Sequence, residues 1–328
     1  MAEVRTLTVA AAEDGVRLDR WFRRRWPHLS FVQIQKLARS GQIRVDGARA
    51  KAETRLAAGA QVRVPPLPEA PPASPSGGAL SSQDRAYVRG LVLYEDDEVL
   101  ALNKPAGLAV QGGTKTSRHV DRLLAAWGEG QERPRLVHRL DRDTSGVLVL
   151  GKSPAAAAKL AGAFARRRTQ KTYWAIVCGT PKPAEGVIEL PLAKRGFGDR
   201  EMMAPAAARD PGAEPAETEF VTLSRAGPKA AWLALRPVTG RTHQLRAHML
   251  AIGHPILGDP KYNDEASRTL SAGLKLQLHA RRIVLPHPVT GRDLVLEAPL
   301  SPELWAGFER FGFDEHEAPD DPFRGRRR

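Results

Sequence analysis

A single cysteine, Cys178, occurs in 328 residues, which leaves no partner for an internal disulfide and no cysteine cluster for a metal. The reducing cytoplasm is the compartment such usage predicts. No run approaches the roughly 20 apolar residues that a membrane span needs, and the opening Met1-Ala2-Glu3-Val4-Arg5 carries no secretory apolar stretch; no membrane partner is expected. Neither a GxxxxGK(S/T) phosphate loop nor a dinucleotide fingerprint is present, so no nucleotide cofactor is expected. HExxH is missing too, so His243 and His248 are not read as zinc ligands and no metal is expected. No heptad seam calls for an oligomer, and a monomer is the expectation. Acidic residues fall short of basic ones, 37 against 50, for a formal net charge of +13. That excess points to a polyanion such as RNA.

The basic charge is concentrated at the start. Residues 1–64 hold thirteen Lys and Arg against six Asp and Glu. Leu18, Trp21, Phe22 and Arg25 fall at helical spacing, with Arg20, Arg23 and Arg24 off the apolar stripe. Ser30 is placed to cap a second helix carrying Phe31, Ile34, Leu37 and Ala38, which Gly41 ends. Short strands follow at Ile43–Val45 and Val62–Val64. The order of elements and the stretch from Ser30 to Gly47 resemble the S-four-type RNA-binding domain. That resemblance implies RNA contacts from Arg20, Arg23, Arg24, Lys36, Arg39 and Arg44; such contacts supply affinity without sequence reading. Residues 65–85, rich in Pro, Ala, Ser and Gly, read as a linker. Residues 86–312 form the larger domain, and the charged tail 313–328 is expected to be disordered.

In the larger domain, strands are predicted at Leu91–Tyr94 and Val99–Leu102. Asn103-Lys104-Pro105-Ala106-Gly107 follows, in which Lys104 reads equally well as a surface lysine. Ser153-Pro154 opens an Ala-rich helix that runs to Arg166-Arg167-Arg168; the arginines suit either the helix dipole or RNA. Lys171 to Val177 reads as a strand with Tyr173, Ala175 and Val177 on one face. Residues 198–216 read as a long loop. Leu245, His248, Met249 and Ile252 share a helical face that Gly253 ends. Ser301-Pro302-Glu303 caps a last helix.

The most chemically loaded stretch is Val137-His138-Arg139-Leu140-Asp141-Arg142-Asp143-Thr144-Ser145-Gly146, a polar loop entering the apolar run Leu148–Leu150. Arg139 and Arg142 flank Asp141, and opposite charge beside a carboxylate favours its ionised form. Read as a string, it resembles the HRLDxxTSG motif of the RluA/RluC-type RNA pseudouridine synthases. Lys171-Thr172-Tyr173 matches that family's KxY motif. Gly240-Arg241-Thr242-His243-Gln244-Leu245-Arg246-Ala247-His248 matches its third motif, and Asn103 to Gly107 its NKPxG segment. The Gly253–Pro260 loop also looks like the one that follows. Val110 to Gly113 looks more like the branch that modifies large-subunit ribosomal RNA than the transfer-RNA branch.

The resemblance implies Asp141 as catalytic aspartate and Arg139 as the arginine associated with base flipping. It implies Tyr173 as the ring that packs on the base and Arg246 as the partner of Asp141, with Arg241 the runner-up. His138, Thr144, Arg241 and His243 are the further candidates for holding substrate. The implied fold is α/β (α+β): a mixed, largely antiparallel sheet with helices around a central cleft, preceded by the small α+β module. Two other classes stay open: a non-catalytic RNA-binding protein, and a Ser/His/Asp hydrolase built from Ser145, His138 and Asp143. The second lacks the GxSxG elbow.

Overall fold

A computed structural model describes residues 4–26, 29, 31–67, 80–112, 118–128, 130, 132–166, 168–197 and 200–325. The chain divides into two compact units, Met1–Ala79 and Leu80–Arg328. Ser30, Gly113, Arg167 and linker residues 68–79 lie outside the described residues.

The first unit runs β1 (Arg5–Thr8), α1 (Leu18–Arg25), α2 (Phe31–Arg39), β2 (Arg44–Val45), β3 (Ala48–Arg49) and β4 (Gln61–Val64). Its sheet has the order β1-β4-β2-β3. Leu18, Trp21 and Phe22 of α1 meet Ile34 of α2 and Val62 and Val64 of β4 in one core. Gly41, at φ +73°, ends α2 in the left-handed conformation that glycine adopts at little cost. Arg20, Arg23, Arg24, Lys36, Arg39 and Arg44 are all exposed. Arg25 instead turns back to Glu13 at 2.8 Å and lies over the Trp21 ring.

The second unit begins with α3 (Ser82–Arg89), β5 (Val92–Glu95), β6 (Val99–Lys104), α4 (Val120–Leu123), β7 (Arg135–Leu136), β8 (Ser145–Gly151), α5 (Pro154–Ala165) and β9 (Gln170–Cys178). It continues through β10 (Glu185–Glu189), β11 (Leu192–Phe197), β12 (Arg200–Pro205), β13 (Glu217–Ala226) and β14 (Ala230–Pro237). It ends with α6 (Gln244–Ala251), α7 (Glu265–Leu270), β15 (Leu278–Pro286), β16 (Asp293–Glu297) and α8 (Pro302–Phe311). The main sheet has the order β10-β13-β14-β9-β15-β8-β6-β5, with β16 and β7 paired to β15 and β8. Only β15 with β8 is parallel; the remaining pairs are antiparallel.

Both faces of this sheet are covered, which is why β8 is buried at every residue and reads as an unbroken apolar run. Leu148 and Leu150 face α3 and α4, while Val147 and Val149 face Leu160 of α5. On β9, Ala175 and Val177 pack with Leu245 and Met249 of α6, and Trp174 and Ile176 pack with Leu304 and Phe308 of α8.

Three expectations differ. Residues 82–85, placed at the end of the linker, are the first half of α3, because Val88 and Leu80 find a core with Leu100 and Leu148. Residues 198–216 contain β12, which pairs along its length with β11; Met202 and Met203 pack by Tyr262, and the Met203 amide donates to the Tyr262 hydroxyl at 3.0 Å. The tail is packed through its described part: Phe313 and Phe323 are buried beside Trp232, and Arg236 lies over the Phe323 ring. Charge density misled here, since two aromatic anchors suffice to seat a short polar segment. Phe323→Ala is therefore expected to lower stability by about 3–5 kcal/mol, the range for emptying a buried aromatic site. Urea unfolding of the full chain measures it; an unchanged midpoint would mean the tail is not anchored.

Candidate active site

The chemistry-bearing residues meet in a cavity of about 580 Å³ within the second unit, a size typical of small-molecule sites. It is lined by the 137–144 loop, one side of α5, Lys171 and Tyr173 of β9, the 237–243 loop and the start of α6. Asp141 is the only carboxylate among the described lining residues, against Arg139, Lys171, Arg241 and Arg246.

Packing and backbone bonds fix the loop that carries Asp141. Lys104, fully buried at the end of β6, donates through Nζ to the carbonyls of Pro105 at 3.0 Å, Leu108 at 2.9 Å and Arg142 at 3.0 Å. Burial pushes its ammonium down to about 8, with Asp143 and Asp141 opposing. Lys104 is thus an interior clamp rather than a surface lysine. Gly107 N donates to Arg142 O at 2.9 Å, and Arg142 Nε returns a bond to Gly107 O at 3.0 Å. Arg142 therefore faces the Pro105–Leu108 turn, and the cation beside Asp141 comes from elsewhere in the chain. At the far end of the loop, Thr144 and Ser145 are buried, and Ser145 Oγ is 2.9 Å from His279 Nδ1. A Cβ on Gly146, at φ +111°, would run into the Ala280 backbone, so the first parallel contacts of β8 with β15 require glycine there.

The supplied cation is Arg246. Its Nη1 lies 3.5 Å from Asp141 Oδ2, while its Nε and Nη2 clamp Asp259 at 2.7 and 2.8 Å. Asp259 is held in turn by the amides of Lys261 at 2.8 Å and Tyr262 at 2.9 Å. Arg241, the runner-up, turns away to Glu214 and the Pro215 carbonyl. Its own amide is read by Gln244 Oε1 at 3.0 Å, and Gln244 is anchored through Nε2 to Glu217 O and Thr218 Oγ1. This buried network sets the start of α6.

His243 precedes α6 with φ +51°, a strained conformation for a side-chain-bearing residue. Its Nδ1 is 3.0 Å from the Tyr262 hydroxyl and its Nε2 is 3.8 Å from Asp141; burial lowers its pKa, with Asp141 opposing. His248 contacts Thr218 Oγ1 and Leu190 O, both at 2.9 Å, so the two histidines serve separate neighbours. His138 stacks on Phe164 at 4.4 Å, and its Nε2 accepts the Val149 amide at 2.8 Å. Ser145 therefore pairs with His279 and not with His138, which dismantles the hydrolase arrangement. Tyr173 is part-buried on the cavity wall, and burial together with the Asp141 charge pushes its phenol well up. Arg139 is exposed at the cavity. Asp259, Lys104, Gln244 and Tyr262 are not among the site residues that the sequence predicts; the resemblance of the Gly253–Pro260 loop to the family's is the one signal for Asp259.

Burial pushes His138 down to about 3, with Lys171 adding to it. Between the ordinary histidine value of about 6.5 and that value, the unfolded chain takes up a proton that the native state refuses, so stability falls as pH falls. From pH 7 to pH 5 wild type is expected to lose about 2 kcal/mol more than His138→Gln. Urea midpoints of both proteins at the two pH values test this, and parallel losses would refute it. Asp259→Asn, which leaves Arg246 half-paired in the interior, is expected to lower turnover at saturating RNA more than it weakens RNA binding, as single-turnover kinetics and filter binding would separate.

A family model described as RNA pseudouridylate synthase matches residues 98–251. "Ribosomal large subunit pseudouridine synthase C" of Vibrio vulnificus is 36% identical over 317 residues, covering 93% of this chain and 96% of that protein. The protein of the same name from Escherichia coli K12 is 36% identical over 308 residues, covering 92% and 94%. Among solved structures, "Human RNA Pseudouridylate Synthase Domain Containing 4" superposes with a TM-score of 0.59 at 27% identity, covering 71% of this chain and 98% of that one. With more than nine-tenths of its length matched at such identity, the chain belongs to the RNA pseudouridine synthase family, isomerases that act on RNA.

Proposed function

We infer that this enzyme converts specific uridines of large-subunit ribosomal RNA to pseudouridine, acting as a cytoplasmic monomer. The relatives' names carry the choice of RNA, and the net charge of +13 supports it. No helix among the described residues is long and apolar enough to cross a membrane. The observation that carries the mechanism is the lone carboxylate, Asp141, set in a cavity beside the guanidinium of Arg246.

The isomerisation breaks the bond from ribose C1′ to ring N1, turns the uracil, and joins C1′ to ring C5; the C5 proton leaves and N1 gains one. No oxidant and no energy source enter the balance. A nucleotide in a helix must first leave its stack, at a cost of a few kcal/mol. Arg139, exposed at the cavity, is suited to fill the vacancy. The target then meets Asp141, which acts on the nucleoside, and the Tyr173 ring, which offers the detached base a flat face that holds it while it turns. Arg246 holds the Asp141 carboxylate in place, itself aimed by Asp259. Thr144, His138 and His243 wall the pocket, and Arg241 borders it. In the first unit, Arg20, Arg23, Arg24, Lys36, Arg39 and Arg44 offer exposed cations to the phosphate backbone.

Asp141→Asn is expected to bind RNA as wild type does and to form pseudouridine at less than about a thousandth of its rate, the scale of losing a catalytic group. Chemical mapping of pseudouridine on unmodified large-subunit rRNA incubated with each protein tests both parts. New sites with wild type alone support the reading; substantial turnover by Asp141→Asn removes Asp141 from the chemistry.

A further inference from the structure

Behind the C-terminal half of α5 lies a second concavity, of about 440 Å³, lined by Lys159, Gly162, Arg166, Arg168, His287 and Pro288 among others. Among the described residues no carboxylate lines it. Its floor is tied down: Lys159 Nζ donates to Pro288 O at 2.9 Å, and His287 Nε2 is 3.0 Å from Asp96. Arg166 and Arg168 are different. Both are exposed, and their side chains make no hydrogen bond or ion pair among the described residues. A helix dipole accounts for a cation on the last turn, which suits Arg166; Arg168 lies beyond the helix, whose last residue is Ala165.

The groove and the cavity that holds Asp141 share α5 as a wall. Ala161, Phe164 and Ala165 of α5 line the Asp141 cavity, while Lys159, Gly162 and Arg166 of the same helix line the groove. Arg168 belongs to the groove and its neighbour Thr169 to the cavity. One residue step therefore separates a pocket for a nucleoside from a carboxylate-free trough with two uncommitted guanidiniums. A guanidinium presents a planar fork of donors that matches phosphate oxygens, and a row of them tracks a backbone whatever its bases.

We propose that this groove is a phosphate-binding track for the RNA backbone flanking the target nucleotide, with Arg166 and Arg168 as its contacts. The proposal rests on the RNA reading above and adds where the strand runs once its uridine has entered the cavity. It makes α5 a divider, with base chemistry on one side and backbone capture on the other.

The test compares filter binding of unmodified large-subunit rRNA, over a series of potassium chloride concentrations, by three proteins. They are wild type, Arg166→Gln/Arg168→Gln, and Arg209→Gln/Arg225→Gln, which removes the same charge from exposed positions that line neither cavity. The groove variant is expected to bind about tenfold more weakly. Its log affinity against log salt should be shallower by about 1.4, two contacts at about 0.7 each on single strands. Unchanged affinity and slope in the groove variant would overturn the proposal, as would an equal change in the distant-site variant. Wild type that binds without forming pseudouridine would sink the functional reading instead, and the slopes would still decide the groove.

Discussion

A guanidinium enclosed between two carboxylates governs the geometry of the cleft. Arg246 and Asp259 have almost no exposed side-chain surface, and a buried pair of this kind persists only when its remaining hydrogen-bonding capacity is met. Asp259 meets it with two backbone amides besides the bidentate arginine. The orientation of Arg246 is therefore settled before any substrate arrives, and its Nη1 is left directed at Asp141. A donor fixed in advance need not reorganise as charge shifts during the reaction, which is where enzymes gain most of their electrostatic advantage. The 244–251 helix is buried over nearly its whole first two turns, its polar Gln244, Arg246 and His248 included.

The carboxylate on the other side is held with equal economy. The loop carrying Asp141 has no regular structure of its own, so its backbone must be pinned from outside. Lys104 and Gly107 both donate to the carbonyl of Arg142, one residue beyond Asp141. Gly146 then lets the chain pass against Ala280 into the sheet. Two glycines and one lysine from two segments thus place one carboxylate, an arrangement of rigid support beneath a reactive loop.

Periodicity and capping made most of the regular elements legible: the alternation in β9, the Ser153-Pro154 start of α5 and the Gly253 stop of α6 each rest on local physics. The gathering of Asp141, Tyr173 and Arg246 was legible only through the resemblance of their motif strings to a known family. What stayed hidden depends on distance in sequence. From charge spacing alone Arg139 and Arg142 look like the partners of Asp141; only the family resemblance pointed to Arg246, 105 residues away, whose Nη1 faces it. Lys104 looks like any lysine until three carbonyls converge on it. The β11–β12 hairpin and the tail both have little to bury by themselves, and each is seated by a contact from another segment, Tyr262 for one and the Trp232 cluster for the other.

Burial also sorts the charges of the cleft by depth. His138 and His243 are both held toward the neutral form by desolvation, so neither adds a positive charge beside the Asp141–Arg246 pair. Uracil is uncharged at neutral pH and loses little by entering such a place, whereas a phosphate would be stripped of water beside Asp141. Exposed cations lie outside that inner wall, Arg139 at the cavity and Arg166 and Arg168 beyond α5. The same gradient that protects the chemistry from stray anions therefore tells the backbone from the base: charge outside attracts the polymer, and only its neutral ring is suited to the inside.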